Sequence, residues 1–200
     1  MKFVNKNVFD QSRHVIDPII CLKERKKNTP PIILDIRPQD EYKVGHLIGA
    51  YSLPAEFLQS NLSQIPPYAQ IVLYGDEKDD STVEQVELLV NNKFSDVSFV
   101  KGGYAELAEA LKNAKDEMIL ANIPKEEWPT IIEKVLNDKV RPTLAADGGG
   151  LSVIKIEEDN VYINYEGACS GCASAATGTL SFIKNALSIS LNHDINVISS

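Results

Sequence analysis

Two cysteines separated by two residues are the most chemically suggestive feature of this chain. Cys169 and Cys172 flank Ser170 and Gly171. The third cysteine, Cys21, lies in an apolar run at residues 19–22, where a buried structural role is expected. Three cysteines in 200 residues do not make a disulfide framework. A close pair in such a chain therefore indicates metal, cluster or redox chemistry.

Three kinds of site are compatible with the pair. A structural zinc site needs four ligands, but one chain offers two clustered cysteines, and His14, His46 and His193 are distant in sequence. A thiol–disulfide oxidoreductase places its cysteine pair at the start of a helix that follows a strand, and that order is predicted here. An iron–sulfur cluster needs four thiolates and thus two chains.

The residues around the pair favour a soft, negatively charged cargo. Cys172 is predicted to open a long helix, whose positive dipole end stabilises a thiolate. Gly167 and Gly171 carry no side chains, so a bulky inorganic core or a second backbone can approach the cysteines. A redox disulfide would need no such clearance, although the sequence pattern alone leaves the three kinds of site open.

The pair is predicted to lie between strong secondary-structure elements. A Gly-rich turn at residues 147–150 precedes two strands, at residues 151–156 and 161–165, joined by a hairpin loop at residues 157–160. Helical spacing of apolar residues predicts one helix before this hairpin and one after the pair. The first stripe is Trp128, Ile131, Ile132, Val135 and Leu136, and the second is Leu180, Phe182, Ile183, Ala186, Leu187 and Leu191.

The first half of the chain has the pattern of a parallel α/β unit. Short apolar runs at residues 32–36, 70–74 and 96–100 are typical of buried parallel strands. Between the last two runs, Ser81 as N-cap with Glu84 three residues later predicts the start of a helix. Strand, helix and strand in this order imply a right-handed crossover.

The charge and hydropathy of the chain exclude some partners. The formal net charge is −8 and the isoelectric point is near 4.9, so nucleic acid is a poor partner. No apolar run is long enough to predict a membrane span. The first residues show no secretory signal, and the cysteine usage fits a reducing environment, so a cytoplasmic location is expected.

Residues of the first half carry motifs that resemble the rhodanese (sulfurtransferase) domain. The stretches are LDIRPQDEYKVGHLIGAYSLP and FVKGGYAEL. In active members a cysteine after the central strand begins an anion-binding loop, and the resemblance places Gly75 at that position. The loop at residues 74–81 carries four acidic residues and one basic residue, which would repel an anionic sulfur donor. The resemblance implies a catalytically inactive domain used for docking or dimer support, with His46 in a structural turn.

Residues 124–198 resemble the C-terminal domain of the NifU family. The matching stretches are VRPTLAADGGG, the strand pair and YEGACSGC. The resemblance implies that Cys169 and Cys172 from each of two subunits hold one shared [4Fe-4S] cluster, which is passed to apo iron–sulfur proteins. The chain departs from the family at Gly150, where Asp or Asn is usual, and Thr179 and Leu180 lie one residue farther from the second cysteine than expected.

The sequence therefore predicts a two-domain α/β homodimer without catalytic turnover. A rhodanese-like parallel sheet with helices on both faces would occupy residues 1–116, and a linker would occupy residues 117–123. A small α+β NifU-like domain would occupy residues 124–200. The predicted function is that of a [4Fe-4S] scaffold and carrier. The alternatives are a thiol–disulfide oxidoreductase that uses Cys169 and Cys172, and a zinc-binding interaction module.

Overall fold

The computed structural model describes residues 10–76, 79–167 and 173–199, and the chain divides into two compact units. The boundary between them falls in the chain between Ala114 and Lys115. Within the predicted linker, Leu120 is fully buried in the core of the second unit. In the described residues, no helix combines the length and the apolar character that crossing a bilayer would need.

A parallel sheet forms the centre of the first unit. Its described strands lie in the order β1, β5, β4, β2, β3, and every pairing is parallel. The three longer strands are the apolar runs that the sequence predicts, since Val, Ile and Leu suit a strand buried on both faces. The bounds are β1 Val15–Ile16, β2 Ile32–Asp35, β3 Tyr51–Ser52, β4 Ile71–Tyr74 and β5 Val97–Val100.

Helices cover both faces of this sheet, which confirms the predicted architecture. Alternate strand residues point to opposite faces, so the sheet separates two hydrophobic cores. Leu34, Leu73 and Phe99 share one core with α3 and α4, whereas Ile33, Val72 and Val100 share the other with α1 and α5. The helices are α1 Pro18–Glu24, α2 Gln39–Val44, α3 Ala55–Asn61, α4 Asp79–Asn91 and α5 Gly103–Asn113.

The start of α4 differs from the sequence prediction. The helix begins at Asp79, so Ser81 lies inside the first turn and is not the N-cap. The sequence is compatible with the earlier start, because acidic residue types such as those at positions 79 and 80 are favoured in the first turn of a helix.

The second unit packs helices against one face of a small mixed sheet. Strand β6 pairs antiparallel with β7, and β8 pairs parallel with β7. Its core joins Trp128 and Ile132 to Leu151 and Ile163 of the hairpin. The elements are β6 Gly149–Glu157, β7 Asn160–Gly167, β8 Asn196–Ser199, α6 Trp128–Val135, α7 Arg141–Ala146 and α8 Ala173–Leu191, and a π-helical turn, Leu136–Val140, joins α6 to α7.

Two details of the second unit correct the sequence prediction. Gly149 and Gly150 belong to β6, because they pair with Gly167 and Glu166, so the predicted turn is shorter. Phe182, expected on the buried side of α8, is 37% exposed, since the buried stripe runs through Ile183, Leu187 and Leu191.

Candidate functional site

Cys169 and Cys172, the predicted ligands, lie outside the described residues, but the elements on either side of them are described. Strand β7 ends at Gly167, and α8 begins at Ala173, the residue after Cys172. The chain therefore passes from a strand to a helix across the cysteine pair, as the sequence predicts. The described helix therefore begins at the residue that follows the pair in sequence, and a helix carries the positive end of its dipole at its N-terminus.

A close contact between two backbones fixes the strand end of this connection. Gly167 has a φ of 65°, in the left-handed region, and is paired with Gly149. A Cβ atom at position 167 would lie 2.5 Å from the carbonyl oxygen of Gly148, far inside van der Waals contact. Both conformation and space therefore require glycine here. Gly167, the last residue of β7, is therefore held in place by the hairpin.

Gly150, one pair along the hairpin, is under no comparable constraint. A Cβ atom there would lie 3.5 Å from the side chain of Glu166, an ordinary contact distance. The φ of Gly150 is not in the left-handed region. The hairpin therefore tolerates a side chain at position 150, although the chain has none.

The helix side of the connection is anchored by packing and by its C-terminal end. Ile183, Leu187 and Leu191 are fully buried in the core of the unit. Beyond α8, the Asn192 amide donates to the carbonyl oxygen of Met118, and Nε2 of His193 lies 2.7 Å from Oδ1 of Asp159 in the β6–β7 turn, within hydrogen-bond distance. Leu180 is partly buried against the same core. The part of α8 from Leu180 to Leu191 is thus packed against the core of the second unit.

Position 75 in the first unit, where the resemblance places the lost nucleophile, is closely surrounded. Gly75 follows β4, and a Cβ atom there would lie 2.5 Å from Oγ1 of Thr82 and 3.5 Å from Ile36. Thr82 is 1% exposed, and its hydroxyl has no hydrogen-bond partner among the described residues. A side chain at position 75 thus requires Thr82 to move.

Cys21 and His46, the other candidate nucleophile and base in this unit, both contact neighbouring groups closely. Cys21 is fully buried, and burial raises the pKa of its thiol to about 12, so the thiolate is disfavoured. His46 stacks on the ring of Tyr42 at a centroid distance of 3.9 Å, and its Nδ1 lies 3.0 Å from the Tyr42 carbonyl oxygen. Neither geometry supplies an activated nucleophile.

A buried ion pair organises the loops at the carboxyl end of the sheet. The carboxylate of Asp35 accepts hydrogen bonds from Nε and Nη2 of Arg37, at 3.0 and 2.6 Å. Arg37 also donates to the carbonyl oxygen of Gly45, and its guanidinium carbon lies 3.9 Å from the Tyr104 ring centroid. Sequence reasoning assigned no function to this cluster. Its signal was an acidic residue at the end of β2 with a basic residue two positions later.

Metal-ligating side chains do not gather into a site in the described part of the chain. No group of three or more His, Cys, Asp or Glu residues has a geometry that could hold a metal ion among those residues.

Comparison with protein families gives one match for each part of the chain. Residues 20–110 match the family described as rhodanese-like domain. Residues 132–198 match the family described as NifU-like domain.

Individual relatives carry names of the NifU and iron-sulfur cluster scaffold kind. A protein of Leptolyngbya boryana named nitrogen fixation protein NifU is 38% identical over 76 residues, which are 38% of this chain and 35% of the relative. A Drosophila grimshawi protein named NFU1 iron-sulfur cluster scaffold homolog, mitochondrial, is 30% identical over 91 residues, 46% of this chain and 30% of the relative. This chain therefore matches about a third of the length of either relative.

The first part of the chain is similar to solved structures. A crystal structure of a rhodanese-like domain from Anabaena sp. is 35% identical and covers 40% of this chain and 91% of that domain, with a TM-score of 0.38.

Proposed function

Because the chain joins a rhodanese-like domain to a NifU-like domain, we propose that it is an iron–sulfur cluster scaffold and carrier. Two copies of the chain bind one [4Fe-4S] cluster between them and deliver it to apo iron–sulfur proteins in a reducing cytoplasm. The relatives named NifU and iron-sulfur cluster scaffold support the scaffold role.

The cluster is the cargo, and Cys169 and Cys172 are its proposed ligands. Each chain supplies two thiolates and a [4Fe-4S] cluster takes four, so a symmetric pair of chains completes the ligand set. The observation that carries this proposal is the pair's place in the chain, between a strand end and the start of a helix. Gly167 is fixed against Gly148, and α8 begins directly after Cys172. The positive end of a helix dipole favours thiolates.

A site shared by two chains suits transfer better than permanent storage. A resident redox centre commonly receives a full ligand set from its own chain, whereas here the halves can separate. Thiolates of a client protein can then replace those of the carrier one after another, because exchange depends on thiolate character and access.

Direct transfer predicts an ordering of rates. With the cluster-loaded full chain and an apo-protein that needs a [4Fe-4S] cluster for activity, we expect activation of the client to rise with client concentration. In a parallel reaction without the client, a ferrous chelator should remove iron from the chain more slowly than the client is activated. The measurement is client activity against chelator absorbance in parallel anaerobic reactions. If client activation always lags behind chelator capture, the client scavenges free iron and the carrier proposal is wrong.

We further propose that the rhodanese-like domain is catalytically inactive. The support is the glycine at position 75 and the acidic residues around it, since there is no thiol to carry sulfane sulfur. The buried thiol of Cys21 cannot substitute for it, because its pKa of about 12 leaves almost no thiolate at neutral pH.

Restoring the cysteine should not restore sulfur transfer. The Gly75→Cys variant is expected to remain at the blank rate in a thiosulfate–cyanide assay. It should also lose about 1–3 kcal/mol of unfolding free energy, because its Cβ atom would overlap the Thr82 hydroxyl. The Gly75→Cys/Thr82→Ala double variant should recover stability and still lack activity, because Asp76 and the other acids of the loop repel the donor. Thiocyanate formation by the unmodified chain above the blank would refute inactivity.

A further inference from the structure

The small sheet of the second unit carries exposed apolar side chains on the face that points away from the core. Core residues such as Leu151 and Ile163 point towards the helices from the other face. On the outward face, Ile154 is 53% exposed and Ile198 is 38% exposed, and Tyr162 lies between them. The solvated face of an antiparallel sheet is normally polar, so a row of large apolar side chains indicates a contact surface.

The register of the three strands sets the order of side chains in this row. Tyr162 of the central strand β7 is paired with Lys155 of β6 and with Ile198 of β8. The register shifts between Val153 and Lys155, as at a β-bulge, and leaves Ile154 as an extra residue beside Tyr162. Because neighbouring strands are about 4.8 Å apart, the two isoleucines flank the tyrosine at similar distances. The row is therefore nearly symmetric about β7, and we call it the outer sheet row.

The charge on the outer sheet row is balanced within the chain. Nζ of Lys155 lies 3.0 Å from the Glu157 carboxylate and 4.4 Å from the centroid of the Tyr162 ring. The chain as a whole has a net charge of −8, so two copies repel each other in most orientations. Two outer sheet rows can face each other without that repulsion, and a second copy of the chain therefore suits this surface.

The proposed cluster site selects one way of pairing two copies, and the inference made here rests on that proposed function. Each chain contributes two thiolates, so both cysteine pairs must meet. In a face-to-face pair with a two-fold axis across β7, the Gly167 ends of the two strands lie at opposite ends of the pair. With the axis along β7, both Gly167 ends lie together, and the segments that contain Cys169 and Cys172 follow them.

We propose that two copies of this chain meet through the outer sheet row, about a two-fold axis that runs along β7. The Tyr162 rings of the two copies face each other on this axis. Ile154 faces the partner's Ile198, and Ile198 faces the partner's Ile154, because the axis exchanges the two sides of the sheet. The same patch thus serves both copies, as a two-fold interface requires.

The surface around the outer sheet row is too small to hold a dimer by itself. A three-stranded sheet of this length covers about 15 Å by 25 Å, which is less than a stable protein interface needs. Glu166, paired with Gly150, lies on the same face nearer to the cysteines, so two copies also bring these carboxylates together. The dimer therefore depends on the shared cluster and separates when the cluster leaves.

Matched glutamate variants of the anaerobically reconstituted full chain test this surface. Tyr162→Glu places two carboxylates against each other on the axis, so the dissociation constant of the cluster-bound dimer should rise about tenfold or more. Tyr68→Glu makes the same substitution at a 95% exposed position of the first unit and should leave it unchanged. Sedimentation at several concentrations gives the dimer fraction, and circular dichroism shows whether each variant is folded.

The outcomes separate this surface from the proposed function. A cluster-bound dimer that is equally stable in the Tyr162→Glu variant and in the unmodified chain overturns the surface alone. An unmodified chain that binds no cluster overturns the proposed function and the surface together. Weakening in Tyr162→Glu but not in Tyr68→Glu supports both.

A mixing experiment tests which side chains face each other and does not depend on changing Tyr162. Chains with Ile154→Glu are mixed with isotopically labelled chains with Ile198→Lys before reconstitution. In a mixed dimer the new carboxylate meets the new ammonium group, whereas in a dimer of like chains each charge meets isoleucine. Native mass spectrometry should show mixed dimers at least about threefold above the ratio that random pairing gives. Random pairing would overturn the proposed surface.

Discussion

Replacing either Cys169 or Cys172 with serine is expected to remove essentially all of the bound cluster. In a symmetric site, one substitution per chain removes two of the four thiolates, because both subunits carry the change. Serine keeps the size and polarity of the side chain but is a poor ligand for iron in a cluster held by thiolates. The measurement is iron and sulfide per chain, with visible absorbance, after anaerobic reconstitution of the full chain.

Cys21 provides the matched control for this experiment. Cys21→Ala also removes a thiol, but from a fully buried position in the first unit. We expect this variant to keep the cluster content of the unmodified chain. Its unfolding free energy should fall by about 1 kcal/mol, because the smaller alanine side chain fills the core position less completely. A Cys169→Ser or Cys172→Ser variant with undiminished iron would show that the cluster is bound elsewhere.

Gly167→Ala should be the most damaging single change in the hairpin that leads to the cysteine pair. A non-glycine residue at a φ of 65° costs about 1–2 kcal/mol. In addition, the new Cβ atom would meet the carbonyl oxygen of Gly148 at 2.5 Å. We therefore expect a loss of about 2 kcal/mol or more in unfolding free energy, measured by urea denaturation. We also expect faster cluster loss, because relief of the strain displaces the segment before Cys169.

Gly150→Ala is the control for the hairpin change. It adds the same methyl group one residue pair away, where the nearest atoms are 3.5 Å distant and the backbone is unstrained. Stability and cluster lifetime should both stay close to those of the unmodified chain. If Gly150→Ala and Gly167→Ala behave alike, the contact between Gly148 and Gly167 has no special role in holding the site.

The sequence alone was sufficient to predict the central strands of the first unit. Runs such as residues 70–74 are short, continuous and apolar, and only a strand buried on both faces combines these properties with the flanking turn residues. The helix after the central strand was also evident from its apolar stripe. Its predicted start was wrong, because the acidic residue types at positions 79 and 80 are as compatible with a first helical turn as Ser81 is with an N-cap.

Structural features that depend on contacts between distant parts of the chain were not evident from the sequence. The two-residue strands β1 and β3 exist only because longer neighbours pair with them. Strand β8 was not evident from its sequence either, because its residues alternate between partly buried and exposed positions only once the strand is paired with β7. Phe182 is exposed because the buried stripe of α8 runs through Ile183, Leu187 and Leu191, and helical spacing alone does not decide which of the neighbouring apolar residues face the core.

The chemistry of the candidate site could be predicted from the sequence, but the backbone and side-chain contacts around it could not. The spacing of Cys169 and Cys172 and the glycines beside them favour a soft, negatively charged cargo on residue types alone. The requirement for glycine at position 167 comes from Gly148, which is brought there by the pairing of β6 with β7. The space behind Gly75 is likewise set by Thr82, a residue that no motif singled out.

Native mass spectrometry of the anaerobically reconstituted full chain tests the central claim most directly. We predict a species with the mass of two chains plus one [4Fe-4S] cluster, and a shift towards monomer when the cluster is removed, because a ligand that binds only the dimer stabilises it. A cluster retained on a single chain with protein ligands alone would contradict the shared site. Zinc in place of iron, or a disulfide between Cys169 and Cys172 with no metal, would contradict the cluster itself.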